Sequence, residues 1–261
     1  MADLNILSIK ALGQANDGKY YIDSNDSIYL VEDECDIVVK EGSYVKIIDK
    51  TSNNDINVEV LDSSVCEYYI INNNSNYEFK VFGELRVLEV SINSANKKFI
   101  VSLEKENASC DVKNLSVLDN AKSYYEQKIV HNSKLTFSNI QNVGIAMNGA
   151  SIVFDTTGKI EKGMSKSKCA QLSRGIVMDD KSMIQAKPIL LIDEFDCFAN
   201  HGASIGKMSD EDLFYLMSRG LTKNQAFLLI LGGIIRPFIE SIPNEEIRNE
   251  LEEQIRIRTE E

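Results

Sequence analysis

Between about Lys19 and Val153 the chain is a procession of short runs that read as strands. "SIYLVED", "CDIVVKEG", "YVKIID", "INVEVLD", "EYYIINN", "YEFKVFG", "LRVLEVSI" and "KKFIVSLEKE" follow one another about every ten residues, separated by Asn, Asp, Ser and Gly. Val, Ile, Tyr and Phe alternate with charged residues, and a period of two leaves one face of each run buried and the other wet. No helical period interrupts the series, which argues against βαβ folds. A sandwich, a barrel and a β-solenoid all fit this pattern. "NGASIVFDTTGKIEKG" and "IVMDDKSMIQAKPILLIDEFD" carry the rhythm onward with Gly at corner positions. In a solenoid the terminal strands would be open edges that need a cap or a partner.

The period changes at Ser209. "SDEDLFYLMSRG" pairs Ser209 with Asp212 three residues on, a variant of the capping box, and stops at Gly220. Thr222 with Gln225 repeats the device and opens a second helix that runs through Ala226, Phe227, Leu231 and Ile235 to about Ile242. Pro237, which lacks an N–H, falls inside it and predicts a kink. Asn244 caps a third helix in which Ile247, Leu251 and Ile255 recur on one face. The expected organisation is an N-terminal segment (1–18), a β region (19–208) and a C-terminal helical region (209–261).

Composition removes several function classes. Forty Asp and Glu against 28 Lys and Arg give a formal charge of −12, and no basic stripe offsets it, so no nucleic-acid partner is expected. The five cysteines are odd in number and scattered without a CxxC pair, which argues against a disulfide framework and a zinc finger. The N-terminus shows no basic stretch followed by an apolar one. The longest apolar run, "AFLLILGGII", is too short to span a bilayer, which takes about 20 residues. The chain reads as cytoplasmic, reduced and without a membrane span. No GxSxG elbow and no phosphate loop are present, so this chain should bind no nucleotide itself.

The richest chemistry lies in "DEFDCFANHGASIG", residues 193–206. His201 and Cys197 are metal-competent side chains. Four apart on a strand they point the same way but lie about 13 Å from each other, so two alone make no chelate. A site completed by a second chain and a hydrogen-bonded histidine at a strand end both remain open. Cys169 reads as a small core residue or a ligand, and His131 as a strand-end residue. The helical run "AFLLIL" is apolar all round and must be buried, by its own bundle or by a partner's groove. Abundant carboxylates also permit a β-solenoid enzyme acting on polysaccharide, although the chain has no Trp to stack sugars.

The stretch "KPILLIDEFDCFANHGASIGKMSDEDLFYLMSRGLTKNQAFLLILGG" resembles the C-terminal signature of the SufB/SufD family, scaffold subunits of the SUF iron–sulfur cluster assembly machinery. The matching elements are Pro188, Leu190 and Ile192 in "PILLI", then "HGASIG" at 201–206 and "LFYLMSRG" at 213–220. The resemblance covers about residues 145–242 and implies a mainly β protein: a right-handed parallel β-helix followed by helices. It implies a non-enzymatic scaffold that carries a transient iron–sulfur cluster. The expected partners are a SufC-like ABC ATPase and a second scaffold of SufB/SufD type, or a second copy of this chain. His201 takes the position of the SufD interface histidine, and Gly202 stands where SufB-like chains carry a glutamate. The SufB assembly cysteine aligns near Leu172, three residues from Cys169, and Ala199 replaces a cysteine common in SufD chains. His201, Cys197 and Cys169 are therefore the candidate cluster or interface ligands. Phe214, Tyr215, Arg219, Gly220 and Phe227 are the candidate ATPase-docking residues. The N-terminal region usual in the family is expected to be absent or much reduced, which suggests a minimal system built as a homodimer. A metal-free structural adaptor is the remaining alternative.

Overall fold

A computed structural model describes residues 5–24 and 27–260. Seventeen strands alternate, one after the next, between two wholly parallel sheets. The first sheet holds β1 (Asn5–Ser8), β3 (Ser27–Val31), β5 (Tyr44–Asp49), β7 (Val65–Ile71), β9 (Glu84–Ser91), β11 (Ser109–Asp119), β13 (Phe137–Met147), β15 (Lys168–Val177) and β17 (Phe198–Gly206). The second holds β2 (Lys19–Ile22), β4 (Asp36–Val39), β6 (Asp55–Val60), β8 (Asn76–Val81), β10 (Asn96–Leu103), β12 (Lys122–His131), β14 (Ser151–Ile160) and β16 (Met183–Ile192). Of the architectures open to the sequence, this is the β-helix-like solenoid. Its first strand lies ahead of Lys19, inside the segment read as a separate N-terminal piece.

Each coil stacks on the last in strict register, so a residue meets its counterpart one turn on. The turn widens from 18 residues between Tyr29 and Ile47 to 31 between Phe137 and Lys168. Corners are turned by residues at positive φ, several of them asparagine: Asn53, Asn72, Asn107, Asn120 and Asn148. Asparagine tolerates this region because its short amide bonds locally to the backbone.

The space between the sheets is the main core. Tyr29, Tyr68, Phe79, Tyr125 and Phe154 are all fully buried there, and Phe79 packs at 5.3 Å from Tyr68 and 5.2 Å from Phe99. In β8 the alternation is strict, with Tyr77, Phe79 and Val81 inside and the residues between them out. It breaks down in β9, where Leu88 and Val90 are buried although they face outward. The reason is α2 (Lys223–Glu240) and α3 (Glu245–Glu260), which lie against the outer face of the first sheet. Leu231, Ile235 and Ile239 of α2 and Ile247, Leu251 and Ile255 of α3 join Leu88, Val90, Leu115, Val117 and Ile145 in one apolar layer.

The helix boundaries match the sequence signals. Ser209 accepts from the Asp212 N–H at the start of α1 (Asp210–Ser218), and Gly220 follows it at φ 96°. Thr222 and Gln225 form a reciprocal capping box, and the Asn244 amide oxygen accepts from the Ile247 N–H at 2.8 Å. Among the described residues no helix is long and apolar enough to cross a membrane.

The solenoid interior is not purely apolar. Glu89, Asn114, Asn142 and Ser173 succeed one another in register on β9, β11, β13 and β15, all buried. Lys97 reaches Glu89 at 2.7 Å and the Asn73 amide oxygen at 3.0 Å. Asp49, fully buried, accepts from the Tyr68 hydroxyl at 2.6 Å, from Tyr77 at 3.0 Å and from the Thr51 N–H at 2.7 Å. Such groups must be paired inside a core, because an unpaired buried charge costs several kcal/mol.

Candidate functional site at the open end of the solenoid

The last coil is the place where sequence signature and geometry meet. β17 pairs with β15 and β16 with β14, and neither has a neighbour in its sheet on the other side. Side chains that would be interior in any earlier coil therefore face an open end. On β16 these are Ala186, Pro188, Leu190 and Ile192, in register with Phe154, Thr156, Gly158 and Ile160 below them. On β17 they are Ala199, His201, Ala203 and Ile205, in register with Cys169, Gln171, Ser173 and Gly175. The "PILLI" and "HGASIG" stretches are thus the two walls of one exposed mouth.

His201 sits on the inward face of β17 and is nonetheless exposed, because no coil covers it. Directly beneath it in register is Gln171, only 4% exposed. The Gln171 amide N–H donates weakly to the Ile189 carbonyl at 3.4 Å, while its amide oxygen is buried without a partner. Two residues back on the same inward face is Cys169, 2% exposed. From strand spacings its Cα lies roughly 8 Å from that of His201, close enough for the two side chains to approach a common point.

Burial raises the pKa of the Cys169 thiol, opposed by a hydrogen bond with Ser138 and reinforced by the proximity of Cys197. Ser138 is its register partner on β13, and the Ser138 hydroxyl lies 2.8 Å from His131 Nε2. His131 Nδ1 lies 2.7 Å from the Thr136 hydroxyl. His131 is the last residue of β12, as its sequence context suggests, but it is wholly buried. Desolvation pushes its pKa down to about 4. Gly158 makes room for this group: a Cβ there would lie 2.4 Å from the Cys169 sulfur and 3.0 Å from the Gln171 amide nitrogen.

Cys197 occupies the corner between β16 and β17, half-buried. Its thiol donates to the Glu194 carbonyl at 3.1 Å, and its pKa is raised by desolvation and then by the charges of Glu194 and Asp196. Glu194 is more than a solvated carboxylate. It accepts from the Gly163 N–H at 2.7 Å and from the Phe195 and Asp196 N–H groups at 2.9 Å, which lowers its pKa and fixes the corner. Phe195 beside it is fully exposed, as is much of Phe198.

The three ligand candidates therefore gather on one open end, on β15, at the corner and on β17. Among the described residues no group of three or more His, Cys, Asp or Glu is arranged to hold a metal ion. Leu172, near which the family resemblance leads us to expect the assembly cysteine, points outward and is exposed, against the side of Gly202. Sequence reasoning missed Gln171, Ser138 and Gly158. Their one signal was parity: in an alternating strand each falls on an inward position, where a polar residue or a glycine is unexpected.

The docking candidates lie elsewhere. Phe214 and Tyr215 on α1 are 75% and 56% exposed. Arg219 stacks 5.2 Å over the Tyr215 ring and donates to its hydroxyl at 3.2 Å. Met217 and Leu229 extend the apolar surface of this hairpin. Phe227 is half-buried in the layer between α2 and the first sheet. In the "AFLLIL" run Ala226 and Leu231 are buried, Leu231 in the layer against the first sheet, and Leu229 is exposed.

A family model of the SufBD core domain, from the SUF system of FeS cluster assembly, matches residues 21–234. The chain belongs to the SufBD family. It is 38% identical over 127 residues to the iron–sulfur cluster assembly protein SufD of Bacillus subtilis, a stretch that covers 49% of this chain and 29% of that protein. It is 25% identical over 240 residues to SufB of the same organism, covering 84% of this chain and 50% of the relative. A SufBD family protein of Pyrococcus horikoshii is 38% identical over 92 residues, or 34% of this chain and 20% of that one. The matches span half or less of the length of these relatives. The likeness is SufD-like, in keeping with Gly202 after the histidine.

Proposed function

We propose that this SufBD chain is a non-enzymatic scaffold on whose open solenoid end a transient iron–sulfur cluster is assembled as cargo. The observation that carries the reading is the open coil itself. It presents His201 on an uncovered inward face, with Cys169 in the layer beneath and Cys197 at the corner. Imidazole and thiolate suit iron and sulfide, and a thiolate forms once metal displaces its proton. Two or three such groups on one chain leave iron incompletely ligated, which favours a second chain facing this end. That chain is a second SufB/SufD-type scaffold or another copy of this one. The free edges of β16 and β17 support such pairing, because unpaired strand edges bind further strands or must be covered.

A SufC-like ABC ATPase is the second proposed partner. The exposed aromatic surface of α1, with Phe214, Tyr215, Arg219 and the Gly220 turn, supports docking there, since aromatic and arginine side chains anchor interfaces. Phe227 lies at the base of this hairpin and would transmit force into the sheet rather than touch the partner. The cytoplasm is the proposed location.

Anaerobic reconstitution with ferrous iron and sulfide tests the scaffold reading. Wild-type protein, with its co-purified partners, should take up iron and sulfide and gain charge-transfer absorbance. His201→Ala should lose most of it. Equal uptake by both proteins would remove His201 from the ligand set, and none by either would favour a metal-free adaptor. A second scaffold found one-to-one with this chain by native mass measurement would rule out the homodimer.

A further inference from the structure

We infer that Gln171 is the positioning residue for His201, accepting one imidazole N–H on its amide oxygen so that the other ring nitrogen faces the open end. The inference rests on the reading of His201 as a cargo ligand, but its geometry stands apart from that reading. Gln171 and His201 are register partners on β15 and β17, on the same face. The Gln171 amide oxygen is buried with no hydrogen-bond partner, an arrangement that costs roughly 1–3 kcal/mol. Two other buried side-chain oxygens stand without a hydrogen-bond partner among the described residues, on Glu89 and Asn114. Both lie deeper in the solenoid, on β9 and β11, and Glu89 is in contact with Lys97. Only the Gln171 oxygen adjoins the open end.

The carboxamide is itself held. Its nitrogen donates to the Ile189 carbonyl, which leaves the oxygen as the atom free to accept. Gly158 keeps the space around it clear, since a Cβ there would press on the Gln171 nitrogen and the Cys169 sulfur. A side chain one strand away in register is about 4.8 Å distant, and an exposed imidazole turns about its χ angles within nanoseconds. Once a second chain covers the end and removes water, the ring N–H of His201 needs an acceptor inside the site. Gln171 supplies it. Histidines that ligate metals commonly donate their second ring N–H in this way, which fixes tautomer and orientation.

The chain contains two histidines, so long-range ¹H–¹⁵N spectra of ¹⁵N-histidine-labelled protein resolve both rings, with His201→Gln to assign them. The wild-type His201 signal should show one dominant tautomer. Gln171→Leu should return it to the mixture of a solvated imidazole, and Gln171→Glu, which keeps an acceptor of the same size, should restore the bias. Cobalt(II) alone, followed by its absorbance, should bind Gln171→Leu about ten- to a hundredfold more weakly than wild type. A His201 tautomer ratio that is unchanged in Gln171→Leu overturns the inference, even if the cluster reading holds. A fixed tautomer lost in Gln171→Leu, beside full cluster uptake by His201→Ala, sinks the reading of His201 as a cargo ligand and leaves the positioning role in place. If Gln171→Leu fails to fold, Gln171→Met, which keeps the length of the side chain without the acceptor, takes its place with the same expectation.

Discussion

Gln171 and His201 are paired across adjacent parallel strands, yet one is 4% exposed and the other lies in the open. That contrast marks the boundary between the finished core of the solenoid and a coil awaiting a neighbour. Gln171 has a counterpart stacked on it, and His201 has none.

The open coil predicts that pairing is sensitive to charge at the mouth. Ile205 is exposed on the inward face of β17. Ile205→Lys should shift the sedimentation of the protein and its scaffold partner towards separate chains, with the β-sheet circular dichroism unchanged. Assemblies as stable as wild type would show that the partner sits elsewhere.

Phe214 is the better probe of ATPase docking than Phe227, because only the first is free of the fold. Phe214→Asp should weaken co-purification with the ATPase by about 2 kcal/mol or more, some thirtyfold in affinity, with the thermal midpoint hardly moved. Phe227→Asp should lower the thermal midpoint instead, since it places a charge in the layer between α2 and the first sheet.

His131 predicts an acid-sensitive core. Its pKa is depressed to about 4 in the fold, against about 6.5 in an unfolded chain, so the unfolded state binds more protons between those values. Stability should be full above about pH 6.5 and fall as the pH drops towards 4, by about 2 kcal/mol at pH 5 from this residue. Urea midpoints at pH 7.5 and 5.0 measure it. His131→Gln should be less stable at pH 7.5, where it forfeits the bonds to Thr136 and Ser138, and should lose less on acidification.

The Lys97–Glu89 pair is buried at 2.7 Å and predicts strong coupling. Lys97→Met strands the Glu89 carboxylate in the core and should cost about 3–5 kcal/mol. Adding Glu89→Gln should recover a large part of that loss. Additive losses in denaturant titrations would show that the two act independently.

Much of the architecture was legible along the chain. The period-two runs from "SIYLVED" onward, the change at Ser209 and the caps at Thr222 and Asn244 all rest on interactions between residues near in sequence. The choice of a solenoid over a sandwich or barrel was not legible from alternation alone, since all three bury one strand face. Nor was the burial of Leu88 and Val90 on the outer face, because it depends on α2, which lies more than a hundred residues away.

By itself, then, the sequence determined the strands, the helices, their caps and the "HGASIG" signature that names the family. Only the tertiary structure decided what surrounds His201. Stacking residue 171 beneath residue 201, and Ser138 beside Cys169, requires the register of coils about 30 residues apart. No local propensity encodes that register. It is set by the fit of each coil on the one before, and the last coil, with none after it, leaves its interior open.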